Sequence, residues 1–550
     1  MIDTVRAFNA LREEFVEVSL RHDPVAATAA GIHDYDAAFP DDSPDGYRER
    51  ARWLRDLDQR LVASVPWDEL PTPDRVDYAI LRSRIALLRA EAEEIRPQRR
   101  NPVLFPETAL RGIFLLLARP FAPLEERKEP ILARMMGVPE YLEGAQANLE
   151  QVPEEFRGIA SEVNSGGLVF VDEVVRTLAR HFPGEAERIE HAGERARVGF
   201  LRYQEFVDRD LRARAGGSFA LGERWMNFRI EREHLLSMDC AYLDQYGREQ
   251  MAAAKGALAD EARRIDPLRP WQELIAEAKE RHPEPLRVRD AYVAEMERAR
   301  AFVAERRLAP IAAGRLDIVD TPPFERVIIP VSSYLPPAPF DVEQTGHFFV
   351  TPVDLARRAE IVREQVRSHN HSFITLAAVH EAYPGRHLQL CHAAHRGSRL
   401  RKLTANPLLA KGWAMYCEQL MDEQGFFTDP HTRLYRLAVQ LWRACRVVID
   451  VGLHTGRMTT AEAAAFLVEH ALLEPSSAET EVHRYALTPT EPMSYLVGKM
   501  LIEELRAEAE RAMGRRFTLH DFHAALLESG TIPPFLVREE LWGRLGVTPA

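Results

Sequence analysis

From residue 1 to about residue 310, apolar side chains recur at spacings of three and four among Glu, Arg and Ala, the period of helices that each bury one stripe. Asp74–Glu94, Gly193–Ala213 and Arg289–Arg306 are clear examples, each with a long charged face. Proline clusters at Phe39–Pro44, Arg96–Pro106, Asp266–Pro270 and His282–Pro285 predict loops between helices. Near residue 310 the pattern changes. Thr321–Pro339 carries short β-branched runs between prolines, and Gly346–Val353 reads as a further short strand. Helical spacing resumes over Ala356–Ser368, Thr375–His395, Asn406–Gln424, His431–His454, Thr460–Leu472 and Met493–Met513. The expected fold is mainly α with a small β-sheet. It divides into an N-terminal helical region, 1–310, and a chemistry-bearing C-terminal region, 311–550, as one continuous unit around a deep cleft.

Composition narrows the class of partner. With 46% hydrophobic and 28% charged residues the chain is globular, and its net charge of -13 argues against nucleic acid or an anionic membrane as a main partner. A peptide or small amide substrate fits better. The N-terminus carries acids early and lacks an export-type apolar stretch, and runs such as Ile113–Ala118 fall far short of a membrane span. A cytoplasmic location is expected. Cys240, Cys391, Cys417 and Cys445 are widely spaced with no C-x-x-C pair, which predicts buried reduced thiols.

The most informative stretch is Thr375–His395, in which His380 and Glu381 stand together at the end of an apolar run. This is how a helical zinc-hydrolase motif begins: the histidine binds metal, and the glutamate takes a proton from metal-bound water. The second histidine of H-E-x-x-H would lie four residues on, where this chain has Pro384. The next is His387, and on an unbroken helix seven residues mean roughly 10.5 Å of rise, too far for two ligands about 2 Å from one zinc. The Pro-Gly pair must reshape the helix if both rings are to meet one ion.

Further candidates lie downstream. Glu418 sits among Trp413, Met415, Tyr416 and Leu420, where a carboxylate is costly to bury without a cation, so it is the candidate third ligand. Arg443, Arg446, Asp450 and His454 form a polar stripe on an apolar helix. Either Arg446 pairs internally with Asp450, or Arg443 or Arg446 grips a substrate's acidic end. His483, Arg484, Tyr485 and Tyr495 are candidate donors to an oxyanion, with the tyrosines equally readable as cleft walls.

These pieces resemble the bacterial family catalogued as domain of unknown function 885, a relative of the gluzincin zinc peptidases. The resemblance runs nearly end to end, through H-D-P-V-A-A-T-A-A-G at 22–31, N-P-V-L-F at 101–105, H-E-A-Y-P-G-R-H at 380–387, G-W-A-M-Y-C-E at 412–418 and R-Y-A-L-T-P-T-E-P-M-S-Y at 484–495. It implies a gluzincin-like metallopeptidase fold and peptidase or amide-hydrolase chemistry. Three departures stand out. Arg386 occupies the place of the family's second histidine, Lys411 replaces a glutamate, and Glu491 stands where a glutamine is usual.

Three readings follow. In the first, a zinc hydrolase uses Glu381 as base, His380, His387 and Glu418 as ligands, and Tyr485 or Arg484 at the oxyanion, with Arg386, Lys411, Arg443, Arg446, His454 and Tyr495 binding substrate. In the second, no metal is bound. Arg386 and Lys411 then supply the lost charge, holding an anionic substrate or pairing with Glu381 and Glu418 in a diverged enzyme of a specialised biosynthetic pathway. In the third, the cleft recognises a peptide or partner without catalysis.

Overall fold

The computed structural model describes residues 2–311, 314–322, 326, 329 and 331–547. Helix dominates because most segments hold a single apolar stripe, and it needs little but packing to persist. Two compact units emerge, the first drawn from Met1–Leu221, Pro323–Val327 and Ala338–Val342, the second from Gly222–Pro322, Ile328–Pro337 and Glu343–Ala550. The change of composition near residue 310 falls inside the second.

In the first unit, the buried Arg134 guanidinium ties its elements together. It donates to the carbonyl oxygens of Ala38 (3.2 Å), Gly112 (2.5 Å) and Pro24 (3.3 Å) and to Thr28 Oγ1 (2.8 Å). The stretch Arg96–Pro106 is only partly a loop, since a helix starts at Leu104. Pro106 lies in that helix's first turn, where the missing N–H would have no intrahelical partner anyway.

The second unit contains a three-stranded sheet of β1 (Arg315–Asp320), β2 (Ser332–Leu335) and β3 (Thr345–Val350), ordered β1–β3–β2. β3 is central, running parallel to β1 (Arg315 opposite Thr345) and antiparallel to β2 (Tyr334 opposite Phe348). It buries Phe348, Phe349 and Val350. Of the extended run expected over Thr321–Pro339, residues 323–325, 327–328 and 330 lie outside the described residues.

The helices that carry the candidate chemistry are α1 (Cys240–Ile265), α2 (His371–Ala377), α3 (Arg386–His395), α4 (Pro407–Glu423), α5 (Pro430–His454), α6 (Pro475–Leu487) and α7 (Ser494–Met513). Their starts are written in the sequence. Asn370 caps α2 at Phe373 N, Asn406 caps α4 at Leu408 N, and Asp429 caps α5 at His431 N, with Pro407 and Pro430 as first helical residues. α5 is the axis of the unit. Every residue from Ala444 to His454 is buried, and Gly247 lets α1 approach Val447 and Val448 closely.

α4 and α7 cross with almost no side chain between them. A Cβ at Gly498 would overlap the Leu408 carbonyl oxygen and lie 2.9 Å from Gly412 Cα. The partner atoms are backbone and cannot swing aside. Gly498→Ala should therefore cost about 3 kcal/mol or more, at the upper end for overpacking. Urea unfolding of variant and parent measures it, and a loss no larger than that of Gly543→Ala, where no atom lies within 4 Å of the added Cβ, would contradict the crossing.

Candidate functional site

α2 continues into a wide turn over Ala378–Ala382, closed by i→i+5 bonding, that carries His380 and Glu381. The chain then leaves the helix through Tyr383, Pro384 and Gly385 and restarts as α3 at Arg386. Gly385 passes so close to the backbone oxygens of Val379 and His380 that no Cβ could be accommodated. Thr375–His395 is thus two helices with a sharp re-entry, not one, because Pro384 offers no N–H to continue the ladder.

The break does not carry His387 to His380. His387 is buried against the sheet, its Nδ1 2.9 Å from the Tyr334 hydroxyl of β2 and 3.7 Å from Cys391 Sγ. Burial pushes its pKa down to about 4 and raises the Cys391 thiol to about 12, so both are neutral. The ring is held for packing, and this pair is no nucleophile.

His380 faces the other way, placing Nδ1 2.5 Å from Glu418 Oε1 on α4. Burial would raise the Glu418 pKa, but the hydrogen bond from His380, with Arg443 and Arg436 nearby, brings it below 4.5. The carboxylate is charged and orients the imidazole. Among the described residues the other ring nitrogen, Nε2, has no hydrogen-bond partner. Glu381 is gripped by Arg386 Nη1 at 2.9 Å. Lys411 does not reach Glu418. It forms an ion pair with Glu491 instead, its ammonium 5.2 Å over the Tyr495 ring.

The arginine stripe of α5 divides its work. Arg446 donates through Nε to the Tyr485 hydroxyl (2.8 Å) and through Nη2 to Glu481 (3.1 Å), and Arg484 also donates to Glu481 (2.8 Å). The Tyr485 hydroxyl in turn donates to Glu481 (2.6 Å). Asp450 accepts from the backbone N–H groups of Thr490 and Met493, both at 3.1 Å, and so anchors the turn that leads into α7. The internal Arg446–Asp450 pair, one of the two alternatives for this stripe, is therefore not the arrangement formed. Each finds a partner on another element, Arg446 on α6 and Asp450 in the 490–493 turn, segments brought beside α5 only by folding.

Other expectations change in the same way. His454 is buried, its Nε2 3.0 Å from the Tyr485 carbonyl oxygen. The Tyr485 hydroxyl gives its one proton to Glu481, and Arg484 is paired with the same carboxylate. His483 lines a groove between the Thr460–Ala471 helix and α6. Arg443 and Tyr495 remain. The Arg443 guanidinium lies 5.1 Å over Trp442 and 5.4 Å over Tyr495, and the Tyr495 ring stacks on His380 at 6.2 Å. Burial would raise the Tyr495 pKa, but Lys411, Arg446, Arg443 and Arg386 together bring it below the usual 10.0. Sequence reasoning missed Glu481, although its spacing of three to Arg484 and four to Tyr485 on one helix is a legible signal.

The donor set does not fit zinc. No group of three or more His, Cys, Asp and Glu side chains among the described residues could hold a metal ion. His380 and Glu418 bond each other, Glu381 is paired with Arg386, and His387 is turned to Tyr334. A guanidinium and an ammonium beside these groups would repel a divalent cation.

The family described as bacterial protein of unknown function (DUF885) matches over residues 24–541. The chain belongs to this family. DUF885 architecture is shared with two solved structures. One is a candidate lipoprotein of unknown function from Shewanella oneidensis, at 21% identity and a TM-score of 0.80 over 97% of this chain and 99% of that one. The other is a candidate lipoprotein from Colwellia psychrerythraea, at 16% identity and 0.86 over 99% and 100%. At such identities the likeness establishes the fold alone. No curated protein matches. No helix among the described residues of this DUF885 chain is long and apolar enough to cross a membrane.

Glu481 offers a test of the network. Burial would raise its pKa, but Arg446 and Arg484 outweigh it and hold the carboxyl at about 2, against an ordinary 4.5. A depressed carboxyl contributes stability above its unfolded pKa and loses it as pH falls through the folded one. The parent should exceed Glu481→Gln by on the order of 2–3 kcal/mol near neutrality, with the gap closing between pH 4.5 and about 2. Chemical denaturation at stepped pH measures this, and a gap that stays constant across that window would refute it.

Proposed function

We propose that this DUF885 chain is a metal-independent acid–base enzyme built on a gluzincin-like hydrolase scaffold, acting on a peptide or small amide bond. The scaffold reading is supported by the H-E pair on one helix, the glutamate-bearing α4 beside it and the small sheet, together with the sequence resemblance. The metal-free reading rests on one observation: the groups that would bind zinc are spent on each other and on cations, His380 with Glu418 and Glu381 with Arg386.

A histidine whose Nδ1 is held by a buried carboxylate presents Nε2 as a general base. In this reading, His380 Nε2 takes a proton from water as the water oxygen bonds to the amide carbonyl, and Glu418 stabilises the imidazolium. His380 then returns the proton to the leaving nitrogen as the C–N bond breaks, giving an acid and an amine. Tyr495, whose hydroxyl has no hydrogen-bond partner among the described residues, is the donor to the oxyanion in place of Tyr485 and Arg484. Arg386 and Lys411 supply local positive charge, and no nucleic acid or membrane takes part. A cytoplasmic location belongs to the same reading, supported by four free, buried thiols, although the lipoprotein descriptions of the two relatives point elsewhere.

Elemental analysis tests the assignment. After incubation with zinc and desalting, the natural chain should retain none, whereas Arg386→His with Lys411→Glu should gain zinc. About one equivalent of zinc in the natural chain, lost in His380→Ala, would overturn the metal-free reading.

A further inference from the structure

The site's cations differ in one respect. Arg386 is paired with Glu381, Lys411 with Glu491, and Arg446 and Arg484 share Glu481. Arg443 has no carboxylate within ion-pair distance and no hydrogen bond to any described residue. Its Nε is buried with that N–H unsatisfied, and the neighbouring Trp442 Nε1 is buried and unsatisfied as well. Arg386 Nε is also buried without a partner, but Arg386 still donates to Glu381, whereas Arg443 makes no hydrogen bond to any described residue, and each orphaned donor costs about 1–3 kcal/mol.

The surroundings define what would satisfy them. The guanidinium sits against the faces of Trp442 and Tyr495, which hold its plane and leave its edge as the hydrogen-bonding surface. Arg446 stands over the same two rings, at 4.2 Å and 5.1 Å, so two positive charges share this corner while Glu481 serves only one of them. Burial and the Arg446 charge both work against a protonated Arg443, and Glu418 nearby only partly offsets them. A bound anion would relieve that strain.

Charge matching selects the anion. One unpaired guanidinium complements the single charge and two parallel oxygens of a carboxylate. A phosphoryl dianion would need a second free cation, and Arg386, Lys411, Arg446 and Arg484 are paired, as is Arg436 with Asp422. We propose that Arg443, with the Trp442 indole N–H, is a carboxylate-binding subsite, and that the substrate is a small molecule or peptide end bearing a free carboxylate. His380 stacks on the same Tyr495 ring that Arg443 covers, so the carboxylate is held one aromatic ring away from the proposed base. This substrate class deepens the reading above and rests on it for the identity of the reacting group, but not for the existence of the subsite.

Isothermal titration of the full chain compares N-acetylglycine, its uncharged amide and inorganic phosphate. N-acetylglycine should bind about tenfold or more tighter than either of the others, the discrimination expected for a desolvated fork contact. Arg443→Gln should abolish that preference. Arg443→Lys, which keeps the charge without the fork, should lose most of it, and Trp442→Phe should weaken N-acetylglycine binding several-fold. Thermal melts of each variant guard against misfolding, and Trp442→Phe and Arg443→Lys carry the test if Arg443→Gln does not fold. Equal binding of acid and amide, tighter binding of phosphate, unchanged affinity in Arg443→Lys, or no binding of any probe would each overturn the proposal. Zinc content is measured on the same preparations, so a zinc-bearing protein that still selects the acid would sink only the metal-free reading.

Discussion

The backbone-on-backbone crossing of α4 and α7 at Gly412 and Gly498 is the constraint on which the site depends. It brings Lys411 and Glu418 of one helix and Tyr495 of the other onto a common floor, closer than helices separated by ordinary side chains allow. Asp450 acts on the same geometry from below, since its two oxygens hold the turn before α7 and thereby fix where Glu491 and Tyr495 emerge. The functional side chains are long and polar, but the parts that position them are glycines and a buried cap.

On that floor the charges are arranged as a closed set of pairs with one exception. In a partly dry environment an unpaired charge is far costlier than a paired one. Pairing therefore explains which partners each group takes: Glu381 and Arg386 across the re-entrant turn, Lys411 and Glu491 across the helix crossing, two arginines on Glu481. Arg443 stands outside this set, held by aromatic faces rather than by an anion.

Much of the helical frame was legible in the sequence because its signals are local. Apolar spacing marked α4 and α5, and Pro384 marked the break after Glu381. β1 was missed although R-L-D-I-V-D alternates charged and apolar residues as a half-buried strand does; the run is only six residues long, and what makes it a strand is pairing with β3 much later in the chain. The wide turn at Ala378–Ala382 has no sequence signature distinct from a helix. For the site, residue types were legible and partners were not. Arg446 stands four residues before Asp450, yet each turned to a different element. His387 follows the motif directly, but the restart of α3 points it into the sheet. Partners supplied by distant segments leave no trace in local spacing.

The Lys411–Glu491 pair carries a consequence for the history of the chain. Where the resemblance sets a glutamate and a glutamine, this chain has Lys411 and Glu491, and their ion pair ties the two positions together. A lineage that gained Lys411 first would have buried a lone ammonium beside Tyr495 and Arg443. One that gained Glu491 first would have set two carboxylates face to face. Either intermediate is handicapped, which makes the pair a ratchet: once both are in place, neither reverts alone without loss. Among sister sequences, a lysine at 411 should therefore travel with a carboxylate at 491.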